Sequence, residues 1–217
     1  MKQKNILRTL LLTAAAAFSL AVFARADVPL DHPPLATTPV GQGLLGQNYA
    51  NLTYSYIDLD NSSVNADRFS FGFNQPLNAG LDAVFTYDWT QDGLFAGFRP
   101  STQSVTAALR AFSNVYLWGK PYVDAGIGYA WQHNTPTGSH NSFLWEVSGG
   151  VELQVAPAVT VTPYLQYTDT PSLAAGGTLT LGVKANYWVD SQWAVTVGLA
   201  RDDSHNTLFT VGTNFRF

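Results

Sequence analysis

From Thr207 onward the chain reads TLFTVGTNFRF. Its odd positions hold Thr207, Phe209, Val211, Thr213, Phe215 and Phe217; its even positions hold Leu208, Thr210, Gly212, Asn214 and Arg216. An apolar face alternating with a small, polar one is the period-two mark of a strand. The same alternation begins near Tyr49 and runs almost unbroken. A first strand, about Tyr49 to Asp58, sets Ala50, Leu52, Tyr54 and Tyr56 on one face. A second, about Arg68 to Gln75, opposes Phe69, Phe71 and Phe73 to Arg68, Ser70, Gly72 and Asn74. Further apolar sets are Leu81 to Trp89, Val105 to Ala111, Val123 to Trp131, Phe143 to Leu153, Val159 to Tyr167, Leu179 to Tyr187 and Trp193 to Leu199. With the C-terminal strand this predicts ten strands, each near the roughly 9 to 11 residues that a tilted membrane strand needs. Eight is the alternative if two weak strands are loops. Pro163 lacks a backbone donor and predicts a disturbed ladder, with a bulge as the simplest form.

The connections alternate too. QPLNAG, SNVYLWGKP, QVAPA and WVDSQ follow even-numbered strands; LDNSSVNA, TQDGLFAGFRP, NTPTGSHN, TPSLAAG and DDSHN follow odd-numbered ones. The first set suits periplasmic turns and the second suits outward-facing loops, all of them short. The expected fold is all-β: a transmembrane, antiparallel, up-and-down β-barrel.

The polar face decides between a soluble barrel and a membrane one. It holds Gly72, Gly126, Gly128, Gly150, Gly182, Gly198 and Gly212 with Ser, Thr and Asn. A water-facing surface is richer in Lys and Glu, whereas small residues suit a crowded barrel interior. Aromatic residues fall at strand ends: Trp89, Trp131, Trp145, Tyr129 and Tyr167 at one end, and Phe73, Tyr187, Trp193, Phe215 and Phe217 at the other. Two such belts flanking an aliphatic band match an interfacial girdle.

Composition agrees. Charged residues make up 12% of the 217 residues and aromatic residues 13%, with six tryptophans. The charged share is about half the usual quarter. The front of the chain, MKQKNILRTLLLTAAAAFSLAVFARAD, reads as a secretory signal peptide over 1–26. Lys2, Lys4 and Arg8 form its basic region, Leu10 to Phe23 its apolar core, and Ala24-Arg25-Ala26 its cleavage site. Cleavage leaves 191 residues with seven basic and fifteen acidic side chains, a net charge of −8. That balance offers nothing to nucleic acid. The absence of cysteine excludes a disulfide framework and a lipid-anchored cysteine. Residues 27–46 carry prolines and glycines without a useful period and read as a periplasmic linker or partial plug; 47–217 form the barrel domain.

Signal peptide, alternating strands and a last strand ending on Phe217 together resemble the small outer-membrane β-barrel proteins of Gram-negative bacteria. The resemblance implies an outer-membrane location among lipid and lipopolysaccharide. It also implies a terminal aromatic strand read by the barrel-assembly machinery, with Phe209, Val211, Phe215 and Phe217 as the assembly signal.

With the apolar face outward, Arg68, Asp82, Asp88, Arg110, Asp124, Glu146, Glu152, Lys184 and Arg216 point into the lumen. Folding the second and third strands about Asn78 sets Arg68 opposite Asp88. Folding the fourth and fifth about Tyr116 to Trp118 sets Arg110 near Asp124, with Asp82 close to Arg110. Unpaired ions inside a wall are costly, so pairing is expected; a charged constriction is the functional alternative. Near the outer rim stand Asp88, Asp92, His133, His140, Asp202, Asp203 and His205, with RDDSH (Arg201 to His205) as the densest cluster. Ten strands with rim acids and histidines resemble the omptin-like proteases, but those carry long walls above the membrane and these loops are short. A lipid-A-modifying enzyme would use Ser204-His205 or Ser139-His140, and an adhesin would need longer loops. No Cys/His metal set, P-loop or nucleotide fingerprint occurs, so no metal or cofactor is expected. The expected role is non-enzymatic: a narrow passive pore for small solutes or a structural envelope barrel.

Overall fold

The computed structural model describes residues 43–60, 64–94, 97–116, 119–173 and 177–217. The expected signal peptide, and the expected linker as far as residue 42, lie outside them.

Ten strands follow one another: β1 (Tyr49–Asp58), β2 (Asn65–Asn78), β3 (Leu81–Asp92), β4 (Ser101–Phe112), β5 (Lys120–Thr135), β6 (Gly138–Ala156), β7 (Val159–Asp169), β8 (Thr178–Trp188), β9 (Trp193–Asp202) and β10 (Thr207–Arg216). Each pairs antiparallel with its neighbour in sequence, and β1 pairs with β10 from Tyr49↔Arg216 to Asp58↔Thr207. The sheet is therefore a closed up-and-down barrel of ten strands, with no free edge. Residue 43, the start of the described chain, and Phe217 lie at one end, here called the turn end; the other is the loop end.

Faces follow the alternation. Odd positions of β1 and even positions of β2 to β10 point inward. Leu52, Phe71, Phe85, Ile127, Leu181, Val197, Phe209 and Val211 are exposed on the outer face, as a lipid-facing band requires. Rings gather at both borders. At the loop end Phe69 stacks on Trp89, Tyr129 meets Trp131 edge-on and Trp145 leans on Tyr167. At the turn end Trp193 packs on Phe215, and Phe217 stacks on Phe73.

Inward glycines make room for inward tyrosines. A Cβ at Gly182 would lie 2.5 Å from Tyr164 Cζ, and one at Gly150 2.8 Å from Tyr122 Oη. Small residues opposite large ones fill a tapering interior without strain.

Three local features differ from the sequence expectation. The β2–β3 register sets Arg68 opposite Thr90 and Ser70 opposite Asp88, because the hairpin turns at Ala79-Gly80 and not about Asn78, and an irregularity between Pro76 and Asn78 slips the ladder by one residue. Together these shift every opposed pair by two, which keeps the faces and changes the partners. At Pro163 the expected disturbance of the ladder is present but takes the form of a lapse and not of a bulge: Gly150↔Tyr164 and Leu153↔Val161 share one register, with no pairing between them. Finally, NTPTGSHN is mostly strand. β5 runs to Thr135 and β6 begins at Gly138, so this hairpin projects past the others.

Candidate functional site

The lumen has a floor at the turn end and a well above it. The floor is built by the turn-end residues of the strands. Arg110, near the end of β4, lies opposite Asp124 on β5. Its Nε and Nη2 donate to the two carboxylate oxygens of Asp124 at 2.8 and 2.9 Å, a bidentate fork that fixes both groups. Arg110 Nη1 also donates to Tyr49 Oη at 3.2 Å, and Ser148 Oγ donates to Asp124 Oδ2 at 3.0 Å. The guanidinium sits 5.1 Å from the centre of the Tyr122 ring.

Beside this pair the chain preceding β1 bends into the barrel mouth. Gly43 and Gly46 have φ of +75° and +77°, a region open to glycine at little cost. Gln47 N–H closes the turn on the Leu44 carbonyl at 3.2 Å. Leu44 N–H donates to Glu152 Oε2 at 2.7 Å, Gly46 N–H donates to Asp82 Oδ2 at 3.0 Å, and Arg216 Nη2 donates to the Gly43 carbonyl. Leu45 is 4% exposed in a socket of Phe112 and Tyr122. Asp82 faces Arg110 in register, yet its carboxylate holds the Gly46 amide and the guanidinium turns to Asp124. The last four residues assigned to the linker thus belong to the barrel interior.

The opposite side of the floor is a neutral network. Asn214 Nδ2 donates to Thr196 Oγ1 at 2.6 Å and to Asn186 Oδ1 at 3.1 Å. Thr196 Oγ1 donates to Asn186 Oδ1 at 2.6 Å, and Asn186 Nδ2 donates to Thr160 Oγ1 at 3.3 Å. All four side chains are buried. Trp188, 1% exposed, carries the Arg216 guanidinium over its ring at 4.1 Å.

Above the floor the inner face is mixed: Ile57, Ala66, Ala130 and Leu144 are buried, whereas the stretch around Lys184 is open. Lys184 points inward between Thr162 and Gly198, yet it is exposed. Its Nζ lies 5.1 Å from the centre of the Tyr164 ring, and among the described residues it makes no ion pair. Glu146 accepts from Gln166 Nε2 at 3.0 Å. Arg68 Nε donates to Thr90 Oγ1 at 3.1 Å, and Ser70 Oγ donates to Asp88, in place of the expected Arg68–Asp88 pair.

The rim residues are spread over separate hairpins. Asp202 spends its carboxylate on its own turn, accepting from Ser204 N–H and Asn206 N–H at 2.9 Å each and from Asn206 Nδ2 at 2.8 Å. Asp203 Oδ1 accepts from Leu179 N–H at 3.3 Å, and His205 has φ of +69° in the same turn. His133 contacts Ser139 at 3.3 Å and His140 contacts Thr137 at 2.8 Å on the β5–β6 hairpin. Asp92 ends β3. No hydrogen bond or ion pair links these groups into one acid–histidine set among the described residues.

On the outer face of β10, Phe209 and Val211 oppose Tyr56 and Tyr54 of β1, and Phe215 opposes Ala50. Phe217 N–H donates to the Asn48 carbonyl at 3.2 Å. The floor residues Leu45, Tyr49, Asn74, Asn186, Thr196 and Asn214 were absent from the sequence-derived site; Tyr49 and the three asparagines carry a sequence signal, namely large or amide side chains on a face rich in Gly, Ser and Thr, whereas Leu45 and Thr196 carry none.

A closed ten-strand wall, apolar outside and polar inside, defines a transmembrane β-barrel with the architecture of the small outer-membrane barrels. No family model matches the chain, and no curated protein matches it. Among solved structures it is similar to the translocator domain of the autotransporter NalP from Neisseria meningitidis, at 11% identity and a TM-score of 0.50, over 94% of this chain and 97% of that one. It also matches Neisserial surface protein A at 14% identity and TM-score 0.43, over 78% and 96% of the two chains. The KdgM porin matches at 13% and 0.43, over 77% and 99%. These likenesses concern the fold.

Proposed function

We propose that the protein is a non-enzymatic outer-membrane barrel, structural in its resting state, whose lumen is closed on the periplasmic side. Residue 43, where the described chain starts, Phe217 and the tight turns share one end, which in outer-membrane barrels faces the periplasm. The observation that carries the reading is the Gly43–Gly46 turn seated inside that mouth on Asp82, Glu152 and Arg216. Beside it the buried Thr160–Asn186–Thr196–Asn214 network lines the remaining wall. A barrel of this strand number is little wider than its own side chains, so a seated turn stops it. The non-enzymatic part rests on Asp202, whose carboxylate is occupied in its own turn. Lipid and lipopolysaccharide cover the outer band, and β10, with Phe209, Val211, Phe215 and Phe217 along its outer face, serves as the assembly strand.

The test is conductance of the refolded mature protein in a planar bilayer. The expected result is no steady openings from a barrel that shows heat-modifiable mobility on a gel. Steady openings from the unmodified chain would replace the structural role with a resting pore. The exposure of Lys184 inside the wall favours a second, narrower reading, in which the well becomes a passage once the floor opens.

A further inference from the structure

We infer that the Gly43–Gly46 turn is a releasable stopper: the turn-end mouth is a binding site for a chain turn, its resident ligand is this segment, and its departure joins the well to the periplasmic side. The inference deepens the resting-closed reading and rests on it. The stopper differs in kind from the rest of the floor. It precedes β1 at Tyr49, so it can leave without unpairing a strand. Its attachment is directed at backbone groups: two amides held by Glu152 and Asp82, and one carbonyl held by Arg216. Its buried apolar anchor is Leu45. By contrast, the Arg110–Asp124 fork and the Asn186–Thr196–Asn214 network join side chains on strands that the closed ladder holds in place.

The mouth is also able to take water in exchange. Asp82 Oδ1, Asn74 Oδ1 and Asn48 Oδ1 have no hydrogen-bond partner among the described residues. Release would turn both carboxylates and the Arg216 guanidinium toward solvent and leave Phe112 and Tyr122 as the apolar part of the lining. Polar groups that water can satisfy make an open state accessible. The vacated volume is that of four residues, two of them leucines, lying between β3, β4, β5, β6 and β10. The contact is specific as well. A Cβ at Gly43 would fall 1.9 Å from Glu152 Oε1, and one at Gly46 would fall 3.0 Å from Phe112 Cζ, so the socket fits a glycine at both ends of the turn.

The experiment uses the full mature chain, which contains no native cysteine, with Gly43→Cys and Glu152→Cys introduced together. Refolded barrels are examined in planar bilayers, first oxidised and then after a thiol reductant on the turn side. The oxidised pair holds the stopper in the mouth and is expected to be silent. Reduction frees a stopper that has lost its Glu152 contact and carries a side chain at a positive-φ position that favours glycine. Open probability should rise about tenfold or more, the change that one lost hydrogen bond to a charged group already gives. Asp82→Asn with Glu152→Gln, which keeps Gly43 and the shapes and so isolates the loss of grip, should raise openings without any reagent. If the reduced pair and the amide variant are both folded by gel mobility and both silent, the stopper is a fixed part of the wall and the inference is overturned. Openings from the unmodified chain and the oxidised pair alike would instead overturn the resting-closed reading.

Discussion

The turn-end floor and the well above it are made by the same ten strands with the same alternation, yet they are built on opposite principles. In the floor, one charge pair and an amide network are closed while three further charges grip a backbone turn. Arg110 forks onto Asp124, Asn214, Thr196 and Asn186 satisfy one another, and Asp82, Glu152 and Arg216 hold the Gly43–Gly46 segment. In the well, a lysine stands exposed inside the wall between a threonine and a glycine. On the proposed resting-closed reading, the difference teaches that closure is local: a barrel need not fill its whole length to be shut, and one bonded layer with a seated turn suffices.

The largest expected effect tests that contrast directly. Arg110→Ala leaves Asp124 in the floor without its cation, and the folded barrel should lose about 3 to 5 kcal/mol against urea in lipid vesicles. Lys184→Ala, the same type of change in the well, should cost no more than about 0.5 kcal/mol. Equal losses would mean that floor and well are one continuous core. Next in size, Asn214→Ala removes the donor to both Thr196 Oγ1 and Asn186 Oδ1, and unfolding of that variant should come about 2 kcal/mol sooner. A loss below about 0.5 kcal/mol would show that water replaces the amide and that this half of the floor is already wet.

Glycine substitutions give a finer comparison. A Cβ at Gly150, near the floor, would meet the Pro163 carbonyl oxygen at 2.5 Å and Tyr122 Oη at 2.8 Å. Backbone cannot yield cheaply, so Gly150→Ala should cost about 1 to 3 kcal/mol. At Gly198, on the wall of the well, the nearest atom is Thr210 Cβ at 3.3 Å. Gly198→Ala should therefore stay within about 1 kcal/mol of the parent, and a reversed order in the two melting points would remove the packing difference between the regions.

The sequence carried the wall and much less of the floor. Period-two alternation, glycines on one face and rings at strand ends gave ten strands and their orientation, because each is repeated in strand after strand. Arg110 and Asp124 could be set opposite each other because their hairpin is symmetric about its connection. Arg68 and Asp88 could not, because the turn at Ala79-Gly80 and the irregularity between Pro76 and Asn78 together shift the partner by two residues while leaving the alternation untouched. Pro163 breaks the ladder without adding a residue, and nothing in a local pattern separates a lapse from a bulge. The stopper was least legible of all. GLLG has no period, and its contacts reach Asp82, Glu152 and Arg216, at separations of 36, 108 and 173 residues, which only closure of the barrel brings together.

The smallest expected change in stability belongs to the variant that reads the contrast most directly. Lys184→Cys should fold as the parent does, since an exposed side chain with no ion pair among the described residues is being replaced. In a chain otherwise free of cysteine, its thiol becomes the one reactive group. Asn186→Cys, one inward position nearer the turn end, places the thiol in the buried network instead. A charged, membrane-impermeant thiol reagent, applied to barrels refolded in vesicles, should label Cys at 184 rapidly and Cys at 186 slowly. The reagent must reach the first through the well, because the outer face is covered by lipid and the floor blocks the turn end. Rapid labelling at both positions would mean that water crosses the floor, and the boundary between the regions would move below Asn186. Slow labelling at both would mean that the well itself is shut toward the loop end, leaving Lys184 in a sealed chamber.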